Sequence, residues 1–524
     1  MAGMDVAQHV EDRSPRGIAA AVSRLVRNGD LRPGDRLPTV RRLAADLGVS
    51  PATVSGAWQA LAAVGLVASR GRAGTVVLPE PASWLPPRYR DMAQGGRVEL
   101  DPAERLDGGG SHVGDATTPA DPTAVRPAPA PTARRGLPRL DLSTGTPDPA
   151  LLPPLAPALG RIARRTPAAG TGSYLGAPVV EPLERLLRAS WPFTPQRVTV
   201  VDGAVDALSR TLEQVAGFGD RVIVEDPGFP PIFDLCDHLG LERVPVPLDR
   251  AGLRPDALET ALRTGAEVIV LQPRAHNPTG VSMSSTRARE LAAVIRKHLA
   301  ASPGADVHVI EDDHSGEIAS SADVSLGSHL PDRVVHVRSY SKSHGPDLRI
   351  AAMGGPAAVL DRVIARRMLG PGWTSRLLQH LLVDLLTDGD AMDAVAQARR
   401  VYYARQRALT TALADLGVDV QPGDGINLWV PVADEPTALV RLEAAGIRVA
   451  RGRPFQAEPS AGVSAGAGGA AAAGAGAAGA ASGRGTSDGH AAPGGHVRVT
   501  VAGLSGTPET VHQVARALAL AATP

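Results

Sequence analysis

A lysine flanked by serines, in RSYSKSHGPDLRI (residues 338–350), is unusual for this chain. Of its 54 Lys+Arg residues only Lys297 and Lys342 are lysine, and the other 52 are arginine. Both residue types carry positive charge, but only lysine readily loses its proton and presents a primary amine to a carbonyl carbon. Lys297 lies in a polar helical stretch, where a solvated charge is sufficient explanation. Lys342 points instead to an amine that condenses with an aldehyde.

Pyridoxal 5'-phosphate (PLP) is the commonest carbonyl partner of such a lysine. Its phosphate calls for hydroxyls, backbone N–H groups and a cation. Its pyridine nitrogen calls for a carboxylate, its phenolic oxygen for donors, and its ring for a flat neighbour. The sequence offers each in turn. VDGAVDALS follows a strand pattern and opens a helix, so the N–H groups of Gly203, Ala204 and Val205 suit a phosphate. EDPGFPP supplies Phe229, QPRAHNPTG supplies Asn277 before a turn, and VIEDDHSGEI supplies Asp312 at a strand end. SYSK adds Ser339 and Ser341, and Arg349 follows Lys342 by seven residues. Taken singly, each has a plainer reading: Asp312 as a strand-end acid, Asn277 as a turn former, Phe229 as core, Arg498 as a surface charge. Their order along the chain favours the cofactor site.

The elements that must position these residues are short β-branched runs, RVTVV, RVIVE, EVIVLQP and DVHVIED, alternating with amphipathic stretches such as AVDALSRTLEQVAGF and STRARELAAVIRKHLA. That alternation predicts an α/β unit with a mostly parallel sheet, whose ligand site lies at the carboxyl ends of the strands. The unit spans 141–524, interrupted at 456–495 by an Ala/Gly-rich tract too poor in large side chains to order itself. A Pro/Gly-rich linker over 80–140 precedes it, and a compact unit over 14–79 comes first.

In that first unit, Thr39 caps a helix carrying Val40, Leu43, Ala44 and Leu47. Gly48 makes the turn, and Ser50 and Pro51 open a second helix with Val54, Ala57, Trp58 and Leu61 facing inward. LVASRGRAGTVV reads as a two-stranded wing, so the unit is a winged helix-turn-helix. Residues 36–78 hold five arginines, at 36, 41, 42, 70 and 72, against the single acid Asp46. The chain as a whole balances 54 basic against 54 acidic residues, so attraction to nucleic acid must come from this local patch.

This first unit, with its NGDLRPGDRLPT phrase, resembles the winged helix-turn-helix of GntR-type regulators. The resemblance implies double-stranded operator DNA as partner, with Arg41, Ser50, Pro51, Ala52, Thr53 and Ser55 facing it and Arg70 and Arg72 in the wing. Pro51 and Ser55 stand where relatives often carry arginine. The larger unit resembles the fold type I PLP-dependent aminotransferases, whose parallel sheet is joined to a smaller C-terminal α/β subdomain. By that resemblance Lys342 forms the Schiff base with PLP and Asp312 pairs with the pyridine nitrogen. Asn277 donates to the phenolic oxygen, and Phe229 stacks on the ring. Gly203, Ala204, Val205, Ser339, Ser341 and Arg349 hold the phosphate. Tyr174 reaches the partner subunit's phosphate, and Arg498 binds an effector carboxylate. His314 takes the place of a tyrosine that donates to the phenolic oxygen.

The fusion resembles the MocR subfamily. It implies a PLP-dependent transcription regulator that forms a homodimer, typically head-to-tail, and responds to PLP itself or to a small amino compound. The alternative is a working aminotransferase that carries a DNA-binding module. One cysteine, Cys236, excludes an internal disulfide and a cysteine-cluster metal site, and no metal is expected. No run of about 20 apolar residues suits a membrane, and the acidic N-terminus does not read as a signal peptide. A cytoplasmic location is expected.

Overall fold

The computed structural model describes residues 6–10, 12–27, 30–32, 34–63, 66–69, 74–78, 88, 140–165, 174, 176–457 and 495–523. The expected Ala/Gly insertion, nearly all of the linker, and Arg70 and Arg72 of the wing lie outside the described residues.

The N-terminal unit packs helices Pro15–Arg27, Val40–Leu47 and Pro51–Ala63 against strands β1 (Val67–Ser69) and β2 (Thr75–Val77), which pair antiparallel. Leu43, Ala44, Leu47, Val54, Ala57, Trp58 and Leu61 are all buried in one cluster with Ile18, Val22 and Leu25, as the 3.6-residue spacing requires. The capping is local chemistry. The Thr39 side chain accepts from the N–H of Arg42, and Gly48 closes helix Val40–Leu47 at φ 67°. Ser50 Oγ accepts from the N–H of Thr53 at 3.1 Å.

The large unit holds two sheets. Strands β4 (Arg197–Val201), β5 (Arg221–Asp226), β6 (Glu242–Asp249), β7 (Gly252–Leu253), β8 (Val268–Leu271), β9 (His308–Asp313), β10 (Val334–Ser339) and β11 (Ala351–Gly355) form an eight-stranded sheet in the order β4-β11-β10-β9-β8-β5-β6-β7. From β10 to β6 every pairing is parallel. β11 runs antiparallel to both its neighbours, and β7 antiparallel to β6. The second sheet joins β3 (Leu140–Leu142), β12 (Asn427–Pro431), β13 (Ile447–Arg451) and β14 (His496–Thr500) in the order β12-β14-β13-β3. The segment that leaves the linker is thus an edge strand of the C-terminal sheet, parallel to β13.

Register brings the site together. Ser339 on β10 pairs with Ala351 on β11, which pairs with Val201 on β4. The hydroxyl run after β10 and the Gly203 turn after β4 therefore lie at one edge. Asp312 on β9 pairs with Val337, three residues before Tyr340, so Asp312 and the Lys342 segment share the same strand ends.

Thr39→Ala removes the cap of helix Val40–Leu47 and leaves the sequence of helix Pro51–Ala63 unchanged. It should lower the stability of the N-terminal unit by about 1 kcal/mol, read as a lower melting midpoint for that unit alone.

Candidate functional site

Asp312 and Asp313 sit side by side on β9, and strand alternation sends them to opposite faces. Both are fully buried, yet they meet different neighbours. Asp313 receives two bonds from Arg274, with Nη2 to Oδ2 at 2.5 Å. Burial works against its charge, but the Arg274 pair wins and its pKa lies below the ordinary value. Asp312 has no cation beside it of that kind. Its Oδ2 accepts from the neutral amide of Gln272 at 2.8 Å, and its Oδ1 is buried without a hydrogen-bond partner among the described residues. Burial pushes its pKa up to about 7, only partly offset by Gln272. A buried carboxylate oxygen left open in this way suits a cationic N–H donor, which is what a protonated pyridine nitrogen supplies.

Gln272 ties the carboxylate to the Asn277 turn. Its Oε1 accepts from the backbone N–H of Asn277 at 2.8 Å, and its own N–H donates to Glu225 at 2.8 Å. Asn277 in turn accepts on Oδ1 from Arg498 Nη1 at 3.4 Å, which leaves Nδ2 as its donor. Sequence reasoning missed Gln272, although it stands five residues before Asn277 in the same phrase. The missing signal was its contact with β9, which only the sheet order creates.

Lys342 Nζ donates to the carbonyl of Gly145. Burial, reinforced by the charge of Arg498 and opposed by Asp312, brings its pKa down to about 8. About a tenth of the amine is therefore neutral at pH 7, and about half near pH 8. Gly145 also bounds Arg498. It adopts φ +64°, and a Cβ there would lie 3.0 Å from Arg498 Nη1. Arg498 itself is fully buried on β14, donates to the carbonyl of Ser143, and rests 5.2 Å from the centroid of the Phe455 ring. This arginine is not a surface charge.

The Gly203 turn is built for close approach. Gly203 has φ +107° and begins helix Ala204–Val215, and a Cβ on it would lie 2.5 Å from Arg349 Nη2. Arg349, in a left-handed conformation at φ 51°, donates to the carbonyl of Asp202 at 2.7 Å. Asp202 is held from the other side by Arg367 Nη2 at 2.9 Å and Thr374 Oγ1 at 2.7 Å. Ser339 is buried, and its Oγ accepts from the N–H of Ser341 at 3.3 Å. Backbone N–H groups at a helix start, two hydroxyls and a guanidinium are the kinds of group that suit a dianion. Phe229 is the half-buried residue immediately before helix Pro230–Leu239.

Two residues differ from the sequence expectation or add to it. Tyr174 is 84 % exposed, its ring edge-on to Trp373 at 6.1 Å. In the single chain it does not enter the cradle, although Trp373 precedes the Thr374 that braces Asp202. His314 departs further. Its Nε2 bonds the carbonyl of Ala275 at 2.9 Å, so Nε2 carries the proton. Burial, with the Lys342 charge, pushes the ring pKa down to about 3. The ring is neutral across the physiological range, its one N–H is committed to backbone, and Nδ1 is left as an acceptor. It therefore does not offer the phenolic oxygen the donor that a tyrosine would, nor a charge that varies near neutrality. In the N-terminal unit Arg41, Ser50, Pro51 and Ala52 are exposed, and Thr53 and Ser55 are half-buried. Ser50 and Thr53 share a hydroxyl–hydroxyl bond of 2.8 Å.

Comparison with known proteins agrees with this division. Residues 16–77 match the family of bacterial regulatory proteins, gntR family, and residues 139–473 match aminotransferase class I and II. The chain is 33% identical over 451 residues to the vitamin B6 salvage pathway transcriptional repressor PtsJ of Salmonella typhimurium, covering 85% of this chain and 92% of that one. It is 27% identical over 463 residues to the pyridoxine biosynthesis transcriptional regulator PdxR of Corynebacterium glutamicum, covering 84% and 88%. Among solved structures it is similar to the α-aminoadipate aminotransferase LysN of Thermus thermophilus, complexed with N-(5'-phosphopyridoxyl)-L-leucine, with TM-score 0.59, 22% identity, and coverage of 73% and 92%. At that identity the likeness establishes the fold. The chain belongs to the MocR subfamily of transcription regulators, in which a gntR-type DNA-binding module is joined to an aminotransferase class I/II domain. No helix of the described residues is long and apolar enough to cross a membrane.

The open oxygen of Asp312 makes a pH signature. With a folded-state pKa of about 7 against an ordinary 3.8, the Asp312 carboxyl contributes a loss of stability to the cofactor-free protein as pH rises from about 4 to 7, of up to about 4 kcal/mol. Asp312→Asn should remove that dependence. Denaturant unfolding at pH 5 and pH 8 should show the midpoint of the variant rising relative to that of the parent between the two pH values, since the buried neutral His314 and His344 favour the higher pH equally in both proteins.

Proposed function

We propose that this chain is a PLP-dependent transcription regulator that binds promoter DNA through its winged helix-turn-helix and senses PLP, or an amino compound joined to it, through the aminotransferase-like domain. The observation that carries this reading is the buried, unpartnered Oδ1 of Asp312 beside a lysine whose amine is partly neutral near pH 8. Such a carboxylate is costly to keep unless a cationic ligand meets it.

The bound cofactor would supply a reactive aldehyde and a ring able to accept electrons. The chain's own residues do the rest. Lys342 is the attachment point. Asp312 holds the pyridine nitrogen in its protonated form, with Gln272 steadying the carboxylate. Phe229 covers one ring face, and Asn277 Nδ2 donates to the phenolic oxygen. Gly203, Ala204, Val205, Ser339, Ser341 and Arg349 receive the phosphate. Arg498, buried and forked, suits the carboxylate of an amino-acid effector that takes the place of Lys342. The vitamin B6 themes in the names of the two similar regulators support PLP itself as the first effector to test.

A homodimer, head-to-tail, fits the exposed Tyr174, which would complete the partner's phosphate site. The committed N–H of His314 speaks for sensing over turnover, since the phenolic oxygen then has one donor fewer to tune the ring.

Lys342→Arg keeps the charge but cannot condense. Purified parent protein mixed with PLP should develop a visible absorption band and, after borohydride treatment, a pyridoxyl mass on Lys342. Lys342→Arg should show neither, and Lys297→Arg should show both. Attachment should quicken between pH 7 and 9 as the Lys342 amine loses its proton. Absence of the label on Lys342, or sustained transamination with amino donors and 2-oxo acids, would overturn the sensor reading. On DNA recovered by in vitro selection, Arg41→Ala should weaken binding and reduce the slope of log affinity against log salt by about 1.

A further inference from the structure

Arg88 lies ten residues beyond Leu78, the last described residue of the wing, in a stretch whose composition reads as free linker. Its guanidinium is seated on helix Pro230–Leu239 of the large unit. Nη1 donates to Asp234 Oδ1 at 3.1 Å and to Asp237 Oδ2 at 2.5 Å, and the group lies 5.9 Å from the centroid of the Phe233 ring. Arg243 of β6 completes the notch, pairing with Asp237 at 3.3 Å and lying 5.6 Å from the same ring. The Arg88, Asp234 and Asp237 side chains are about 27%, 10% and 23% exposed. The contact is thus largely withdrawn from solvent, where an ion pair is screened least.

We propose that this acidic-aromatic notch is the docking site for the linker at Arg88, and that it sets how far the DNA-binding module can range from the PLP site. The proposal rests on the sensor reading above. Ten residues of chain span at most about 35 Å. A free linker of about 60 residues has a root-mean-square span of about 45 Å and a full reach of about 200 Å. Docking Arg88 therefore shortens the tether several-fold and raises the local concentration of the module where a second one must meet the same DNA.

The notch is also placed to feel the ligand. Its helix starts directly after Phe229, and Phe233 is one turn further on the same face. Gly228, next to Phe229, donates its N–H to the carbonyl of Phe455 at 2.8 Å, and Phe455 is the ring under Arg498. Whatever moves Phe229 or Arg498 moves the start of the helix that grips the linker.

Two measurements on the full-length protein test this. The first is limited trypsin digestion with mass spectrometry. The bond after Arg88 should resist cleavage in the parent and become an early cut in Asp234→Asn/Asp237→Asn. Equal early cutting in the parent would overturn the docking. The second is affinity for the in vitro-selected DNA with and without PLP. In Arg88→Ala the ratio of the two dissociation constants should fall at least threefold toward one, Arg88→Lys should retain most of it, and PLP uptake by absorbance should be unchanged in both. A full PLP response in Arg88→Ala would overturn the role in ranging. If the parent itself shows no PLP-dependent change in DNA affinity, the sensor reading fails, while the trypsin result still decides whether the linker docks.

Discussion

The large unit is organised around a carboxylate that is buried on purpose and left half satisfied. Asp312 has given up water at the end of a central strand, with one oxygen bonded by an uncharged amide and the other open. An isolated buried charge of this kind is normally neutralised, paired or removed. Its neighbour Asp313 illustrates the usual solution, a close arginine. The contrast between adjacent residues on one strand shows that the environment, and not the residue type, decides which carboxylate is paired with a cation and which keeps an oxygen open.

Much of the surrounding architecture serves to hold that oxygen and the Lys342 amine in one place. Gln272 links Asp312 to the Asn277 turn, and the turn meets Arg498 from the other sheet. Gly145, close to the edge strand β3, receives Lys342 on its carbonyl and lies against the Arg498 guanidinium, which a Cβ there would crowd. The two sheets are thus joined through the site itself. Under the proposed sensing role, a ligand that drew Lys342 away from Gly145 would act on the segment that follows β3, the first element after the linker. Both ends of the linker thus lie near elements that border the proposed sensing pocket, helix Pro230–Leu239 at Arg88 and Gly145 just after β3.

Local sequence determined the elements with little ambiguity. The β-branched runs at 197–201 and 221–225 became strands within a residue of their apparent ends, and the helices after Gly203 and Ser284 followed their amphipathic patterns. In the N-terminal unit Thr39, Gly48 and Ser50 perform the capping and turning that their chemistry favours. The scarcity of lysine drew attention to Lys342, and the order of motifs suggested its companions, because PLP would make several separate demands on one chain.

Tertiary structure alone decided the relations that depend on which strands become neighbours and which groups lose water. Gln272 became a partner of Asp312 only because β8 lies beside β9, and the register across β4, β11 and β10 brought Ser339 level with the Gly203 turn. Arg498 changed from a plausible surface charge to a buried anchor, and His314 became a neutral ring bonded to backbone where a donor was expected. Arg88, unremarkable in a linker by composition, found a notch on a helix some 150 positions later in the chain. Spacing along a chain determines which side of a helix or strand a residue occupies. It carries no information on desolvation or on contacts between distant segments, and those set the charge and the partners of every group in the site.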